Sequence, residues 1–351
     1  MDKQKIIVSK DLNVSLSEAL QMIDYDKLFV LTDEETALYC LPLIRDNEKI
    51  KDAGVIVIQA GDLHKTLDAV SGVWMYLSRN GASRKSAMVN LGGGMVTDLG
   101  GFAASSFKRG IPYINIPTTL LGAVDAAVGG KTGINFNGLK NEIGVFSPSK
   151  VVLIDTTFFQ SLDRENILSG YAEMLKHGLI SNDKNLSDLI CFDPENIDYR
   201  RLQELLVISV KIKEKIVSED PYEKGIRKAL NLGHTVGHAF ESFSFERNRP
   251  TLHGYAVAWG IICELYLSYC LTGFPADKLR QTIRFIRNHY GTFEIDCKDY
   301  DHLYELMTHD KKNESDRVNF TLLADVGDIR INQTADQKMI FEMFDFYRDN
   351  Q

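Results

Sequence analysis

The stretch Ser86-Ala87-Met88-Val89-Asn90-Leu91-Gly92-Gly93-Gly94-Met95-Val96-Thr97-Asp98-Leu99-Gly100-Gly101 decides how the first half of this chain folds. A short apolar run ends in three glycines and continues into a segment of helical character, which is the pattern of strand, tight turn and helix. Glycines at such a turn let backbone N–H groups come close to a phosphate, and the positive end of the following helix favours the negative charge. The spacing is not the GxGxxG fingerprint, because Asp98 and Gly100 fall outside it. A strand-to-helix turn without a ligand fits the segment as well.

The same alternation extends to either side. Residues 28–33 and 55–58 precede the stretch as short apolar runs ending in polar or glycine residues, and residues 64–80 carry the period of an amphipathic helix. Residues 111–116 and 151–155 follow as further strands. Strands alternating with helices in this way predict an open, Rossmann-like parallel sheet with helices on both faces. Asp33, at the end of an early strand, suits either a ribose hydroxyl or a helix cap. Beyond about residue 165 the period changes to 3.6, with helices expected over 199–219, 226–243, 254–272 and 276–290, and strand signals returning only around 318–323. The expected organisation is an α/β N-terminal domain over residues 1–165 and a mainly α-helical C-terminal domain over residues 166–351.

Composition narrows the function classes. A chain of 351 residues, 44% hydrophobic and 25% charged, reads as an ordinary globular protein with room for two domains. The net charge of −8, with no basic run, argues against a nucleic-acid partner. The N-terminus has no signal-peptide pattern, and no apolar run reaches the roughly 18 residues needed to cross a bilayer, so no membrane association is expected. Five cysteines without a CxxC pair suggest reduced thiols in the cytoplasm.

Two segments carry chemistry. In Asn231-Leu-Gly-His234-Thr-Val-Gly-His238, followed by Leu252-His253-Gly254, the four-residue spacing puts His234 and His238 on one helical face. Imidazole is the commonest protein ligand for a divalent transition metal, and two such rings with a carboxylate form the three-ligand, open site of a catalytic metal. A pair of helix histidines bonded within a polar interface is the competing reading. Thr235 stands where a zinc protease needs glutamate. The second segment joins Val124-Asp125-Ala126 to Gly129-Gly130-Lys131-Thr132-Gly133, with Lys140-Asn141 and Lys108-Arg109-Gly110 nearby. Asp125 occupies the position of the upstream P-loop glycine, which weakens an NTPase reading. The remaining cations and hydroxyls suit a polyhydroxylated anion.

Taken in order, GGGMVTDLGGF, RGIPYINIPTTLLGAVDAAVGGKTGIN, LKNEIGVF, GYAEMLKHGLI, GIRKALNLGHTVGHAFE and LHG closely resemble the 3-dehydroquinate synthase family of the shikimate pathway, within the sugar-phosphate cyclase superfamily. The resemblance implies an NAD-binding N-terminal domain, a catalytic zinc or cobalt ion, and an active site in the cleft between the domains. It implies conversion of 3-deoxy-D-arabino-heptulosonate 7-phosphate to 3-dehydroquinate and phosphate. The expected steps are transient oxidation by NAD, phosphate elimination, re-reduction, ring opening and intramolecular aldol closure.

By motif position, the resemblance implies that Glu173, His234 and His253 are the metal ligands, with His238 beside the substrate. The other catalytic positions are Lys131, Asn141, Lys176 and Asp125. Substrate-binding positions are Arg109, Lys140, Lys213, Arg227, Asn231 and one of Lys311 and Lys312, with Arg109 reaching across a homodimer interface. NAD contacts match Asp33, Gly61, Asp62, Lys65, Gly93, Gly94, Asp98, Thr118 and Thr119, together with Asp125, Lys131 and Lys140.

The chain departs from the family pattern at Asp62, where glutamate is usual, at the Ser161–Asn166 segment, and at Tyr255. Glu241 sits at helical spacing from His234 and His238, suiting either an imidazole partner or a solvent-facing carboxylate. Competing readings are a related sugar-phosphate cyclase, a metal-dependent polyol dehydrogenase and a catalytically inactive binding protein.

Overall fold

The computed structural model describes residues 4–137, 139–308 and 318–349. The chain divides into two compact units, Met1–Asp163 and Arg164–Gln351.

The first unit is built on a six-stranded parallel sheet. Its strands are β1 (Lys5–Val8), β2 (Leu28–Asp33), β3 (Gly54–Ile58), β4 (Ala87–Gly92), β5 (Tyr113–Pro117) and β8 (Val151–Ile154), in the order β1-β8-β5-β4-β2-β3. Every residue of β2, β4, β5 and β8 is buried. Successive side chains point to opposite faces, so burial at every position means that both faces are covered. On one face, Phe29, Leu31, Ile56 and Met88 pack with Val70, Val73 and Leu77 of the helix Leu67–Arg79 and with Val96, Leu99 and Ala103 of the helix Gly94–Ser106. The spacing of Val70, Val73 and Leu77 makes one apolar stripe, and the Thr66 side chain caps that helix by accepting the Ala69 N–H.

Sheet order sets where a ligand can approach. The chain runs from β2 outward to β3, then returns to β4 on the other side of β2 and continues to β5. The order therefore reverses between β2 and β4, and ligands of such sheets bind beyond the carboxyl ends of the strands at that reversal. Asp33 ends β2, and Gly92-Gly93-Gly94 joins β4 to its helix. Sequence reading did not anticipate the two-stranded antiparallel sheet of β6 (Lys131–Phe136) and β7 (Leu139–Phe146).

Among the described residues the second unit is mainly helical, with one hairpin of β9 (Val318–Asp325) and β10 (Asp328–Ala335). The helix His253–Thr272 packs against the helices Arg164–Leu179, His234–Glu246, Ala276–Tyr290 and Gln337–Asp349 and against β9. By length and composition this helix could span a membrane, contrary to the expectation that no apolar run is long enough to do so. Within the protein, 72% of its most apolar window is buried. It is apolar all round because it is surrounded by its own unit.

The expected helix over 226–243 is two elements. A 3-10 turn, Ile226–Asn231, ends before Gly233, and the α-helix His234–Glu246 starts after it. Gly233 has φ +79°, a left-handed conformation that interrupts the helical path and that glycine adopts at little cost.

Candidate functional site

Three helices of the second unit converge on one point. Glu173 lies in the third turn of Arg164–Leu179, His234 is the first residue of its helix, and His253 the first of the next. Their ligand atoms all lie within 4.8 Å of one another. Oε1 of Glu173 stands 3.4 Å from Nε2 of His234 and 3.5 Å from Nε2 of His253. Ligand atoms held about 2.0–2.1 Å from one tetrahedral ion sit about 3.3–3.4 Å apart, so this spacing fits a shared metal.

The chemistry of the donors fits as well. Glu173 is fully buried, and its Oε1 makes no hydrogen bond. A buried, unsatisfied carboxylate oxygen facing two imidazoles is a costly arrangement that a cation would relieve. Each ring is oriented through its other nitrogen. Nδ1 of His234 donates to the Leu232 carbonyl at 3.1 Å, and Nδ1 of His253 donates to Glu241 Oε2 at 3.1 Å. Because both acceptors can only accept, the neutral tautomers that a metal would select turn their Nε2 lone pairs toward Glu173. Glu241 is buried, which resolves its two readings in favour of the imidazole partner.

The electrostatics are those of a tightly paired cluster. Burial pushes the Glu173 carboxyl up, but Lys176, His234 and His253 hold it well below the usual carboxylate range. Burial and the neighbouring Lys176 push His234 well down, toward the neutral ligand form. Burial also works against a charged His253, yet Glu173 and Glu241 raise it to about 10, so a metal bound there displaces a proton. Lys176, itself buried, donates to Glu173 Oε2. The His238 ring centroid is 5.4 Å from that of His234 and 5.9 Å from that of His253, bordering the cluster.

A close backbone contact sets the position of His253. The Gly254 N–H donates to Ser169 Oγ at 3.1 Å, one turn before Glu173 on its helix. A Cβ at Gly254 would lie 1.9 Å from the Ser169 carbonyl oxygen. Gly254→Ala is therefore expected to force the two helices apart, costing about 1–3 kcal/mol and displacing His253. Urea unfolding together with cobalt binding checks this. Unchanged values for both would contradict it.

In the first unit a second group forms around a buried lysine. Lys65 Nζ donates to Asn141 Oδ1 at 2.6 Å and to Asp98 Oδ2 at 3.1 Å, and stands 3.3 Å from Asp62 Oδ1. Lys140 Nζ is 3.6 Å from Asp62 Oδ2. Asn135 completes the group. Its Nδ2 donates to the Asp62 carbonyl at 2.8 Å, and its Oδ1 accepts the Asn141 N–H at 3.0 Å. Asn135 had no role assigned from sequence, and its only signal was its place at the end of a motif block. Burial raises Asp98 to about 6 despite the Lys65 charge. Burial also pushes Asp62 up, but Lys65 and Lys140 keep it below the ordinary carboxylate range.

The remaining candidates fall into place singly or in pairs. Asp33 caps the helix Glu34–Tyr39, its Oδ1 accepting the Thr36 N–H and hydroxyl, each at 2.7 Å. Thr36 Oγ1 also lies 3.2 Å from the Leu91 carbonyl, which puts the Asp33 cap beside the glycine turn. Gly93 faces Thr119, and the Thr118 N–H donates to the Gly92 carbonyl. Gly94 begins the helix after β4, and Gly61 opens the turn Asp62–His64. Asp125 lies in the turn Gly122–Ala126, and Lys131 begins β6.

Lys213 and Arg227 are buried cations. The loop before Arg227 is organised by Asp220, which accepts the N–H groups of Lys224, Gly225 and Arg227. Asn231 Nδ2 donates to Glu223 Oε1 at 2.9 Å. Arg109 is exposed on the turn Phe107–Arg109 and belongs to neither group. Lys311 and Lys312 lie outside the described residues.

Comparison with known proteins points one way. Residues 55–169 match the family model "3-dehydroquinate synthase N-terminal", and residues 170–313 match "3-dehydroquinate synthase C-terminal". The 3-dehydroquinate synthase of Parabacteroides distasonis is 56% identical over 350 residues, covering 100% of this chain and 99% of that protein. Among solved structures, 2-epi-5-epi-valiolone synthase from Streptomyces hygroscopicus, with NAD+ and Zn2+ bound, matches with a TM-score of 0.87 at 23% identity, covering 100% of this chain and 98% of that one. A 2-deoxy-scyllo-inosose synthase complexed with carbaglucose-6-phosphate, NAD+ and Co2+ matches at 0.83 and 24% identity, covering 98% and 96%. These two likenesses establish the fold.

Proposed function

The chain belongs to the 3-dehydroquinate synthase family, and on that premise we propose that it converts 3-deoxy-D-arabino-heptulosonate 7-phosphate to 3-dehydroquinate and phosphate, using NAD and a zinc or cobalt ion. The observation that carries this reading is the convergence of Glu173, His234 and His253 around an unsatisfied buried carboxylate oxygen. These three residues would hold the metal. When bound, the metal supplies Lewis-acid polarisation of a substrate hydroxyl, and NAD supplies a hydride acceptor restored within the same turnover.

The chain's own residues bind and orient. Residues 1–165 form the NAD-binding domain, with the Asp62-Lys65-Asp98 group and the Asp33, Gly93 and Thr119 turn as its contacts. Residues 166–351 form the metal- and substrate-binding domain. Lys213 and Arg227 take the substrate carboxylate, a charge that a related cyclase acting on a simple sugar phosphate would not need to match. Arg109, Lys131, Lys140 and Asn231 hold the phosphate and hydroxyls and so restrict the substrate to one reactive conformer. Lys176 Nζ, already bonded to Glu173, and the imidazole of His238 border the metal ligands and manage protons at the reacting hydroxyls. Arg109 is assigned to the phosphate of a partner subunit in a homodimer. Cytoplasmic residence belongs to the same reading and agrees with five free thiols.

The test is phosphate release from the heptulosonate with catalytic NAD. Release that stops with a chelator, returns with zinc or cobalt, and yields no net NADH supports the synthase. NADH accumulating in step with product indicates a polyol dehydrogenase. Turnover of sedoheptulose 7-phosphate with no release from the heptulosonate indicates a related cyclase.

A further inference from the structure

We propose that Glu264 is a positioning residue for the metal site: its buried carboxylate, carried by the same helix as His253, closes the first turn of the helix that begins at His234. This inference rests on the metal reading above.

The first N–H groups of a helix have no acceptor within it, and a Ser, Thr, Asp or Asn side chain at the cap normally supplies one. The helix His234–Glu246 has Gly233 at its cap, with no side chain to offer. Glu264 supplies the acceptor from the neighbouring helix. Its Oε2 accepts the Gly233 N–H at 2.6 Å and its Oε1 accepts the Val236 N–H at 3.2 Å. The residue is fully buried on a helix that is otherwise apolar there, where a carboxylate is costly unless it is bonded in this way.

Helix geometry connects this carboxylate to the metal ligands. His253 and Glu264 are eleven residues apart, about three turns at 3.6 residues per turn, so they share one face of the helix. Between them lies Gly260, where an added Cβ would meet the Gly233 carbonyl oxygen at 2.0 Å. Gly237 sits against Ala256, where an added Cβ would lie 3.0 Å from the carbonyl oxygen. The two ligand-bearing helices thus touch backbone to backbone, and this closeness lets Glu264 reach the start of the partner helix. One face of one helix provides the ligand His253, the glycine contact, and the clamp on the residue next to His234. Glu264 therefore holds the two imidazoles at the spacing a single ion requires, and its charge suits the positive end of the helix it clamps.

The test uses the full-length chain with cobalt(II) as the probe, reading its dissociation constant by chelator competition and its d–d absorption. Glu264→Gln keeps the shape but replaces one acceptor with a donor. It is expected to weaken cobalt binding about 10–100-fold, the usual cost of losing an outer partner of a metal site, and to shift the d–d band. Leu186→Ala, a core truncation outside the ligand-bearing helices, serves as the control for a general loss of stability.

Unchanged cobalt affinity and spectrum in Glu264→Gln overturn the proposal, as does an equal loss in Leu186→Ala. Should Glu264→Gln fail to fold, Glu264→Asp retains the charge one methylene short and is expected to show a smaller weakening. No weakening there overturns the proposal too. A wild-type chain that takes up no cobalt overturns the metal reading and this inference together, whereas wild-type binding with an indifferent Glu264 overturns the inference alone.

Discussion

Glu173→Gln is expected to strip the protein of its metal and to reduce phosphate release from the heptulosonate by about a thousandfold or more. The carboxylate has two tasks that an amide cannot perform together. Its Oε1 faces the Nε2 atoms of His234 and His253, while its Oε2 accepts from the buried Lys176. A glutamine whose oxygen faces the imidazoles turns its NH2 toward the Lys176 ammonium, and the reverse rotamer puts NH2 in the ligand position. Either way the site loses its one anionic ligand and keeps two neutral ones.

Loss of affinity should exceed the roughly 10–100-fold that follows removal of an outer partner. A Lewis acid worth several kcal/mol in the transition state corresponds to the stated loss of rate. Metal content of the purified variant and single-turnover phosphate release measure the two effects. Wild-type cobalt content in Glu173→Gln would remove this residue from the ligand set. NAD affinity should be unaffected, since the NAD contacts assigned above all lie in the first unit.

The parts of this structure that the sequence made legible are those in which burial dictates composition. β2, β4, β5 and β8 are buried along their whole length, so each appears as an apolar run bounded by glycine or polar residues. The hairpin of β6 and β7 was not legible because seven of the eight residues of β7 are exposed, so its apolar residues, Leu139, Ile143, Val145 and Phe146, do not follow the alternation of a half-buried strand. Its role is visible only in three dimensions, where Asn135 and Asn141 meet Asp62 and Lys65. The break at Gly233 was missed because glycine within a helical period is a weak signal until its φ is known.

The candidate site divides in the same way. Glu173, His234 and His253 stand far apart in sequence, and only motif position pointed to them as one set before the structure brought them together. Glu241 was undecided because helical spacing alone does not say whether a carboxylate faces a ring or water, and its burial decides the matter. Glu264 and Asp220 were overlooked altogether. Each acts on backbone N–H groups rather than on another conspicuous side chain, so no residue pairing announces it. The one usable signal for Glu264 was a solitary carboxylate in the middle of an apolar helix, which must be bonded if that helix is buried.

Lys65→Met is expected to destabilise the first unit by about 3 kcal/mol at pH 8 and by much less at pH 5, and to abolish high-affinity NAD binding. Lys65 is buried and shares its ammonium among Asp62, Asp98 and Asn141. Removing one partner of a fully buried pair typically costs about 3–5 kcal/mol, but here only Lys65 is fully buried, the Asp98 side chain being 18% exposed and that of Asp62 44%. The lower end therefore applies, the more so because Asp62 keeps Lys140 as a second cation.

The pH dependence follows from Asp98, whose folded-state value is raised to about 6 from 3.8, first by burial. An acid raised on folding contributes stability that is fully present below pH 3.8 and lost as pH rises through 6. Above 6 the folded protein must accommodate an ionised, partly buried Asp98, and Lys65 limits that cost. Below 6 Asp98 is protonated and needs the ammonium less. The variant should therefore approach wild type on acidification, and Asp98→Asn in the same background should flatten the difference between pH 5 and 8. Urea unfolding at both pH values, followed by the change in protein fluorescence, reads the result. Equal destabilisation at pH 5 and pH 8 would mean that Asp98 does not titrate against Lys65, and the lysine would then be holding Asn141 and the hairpin rather than a charge.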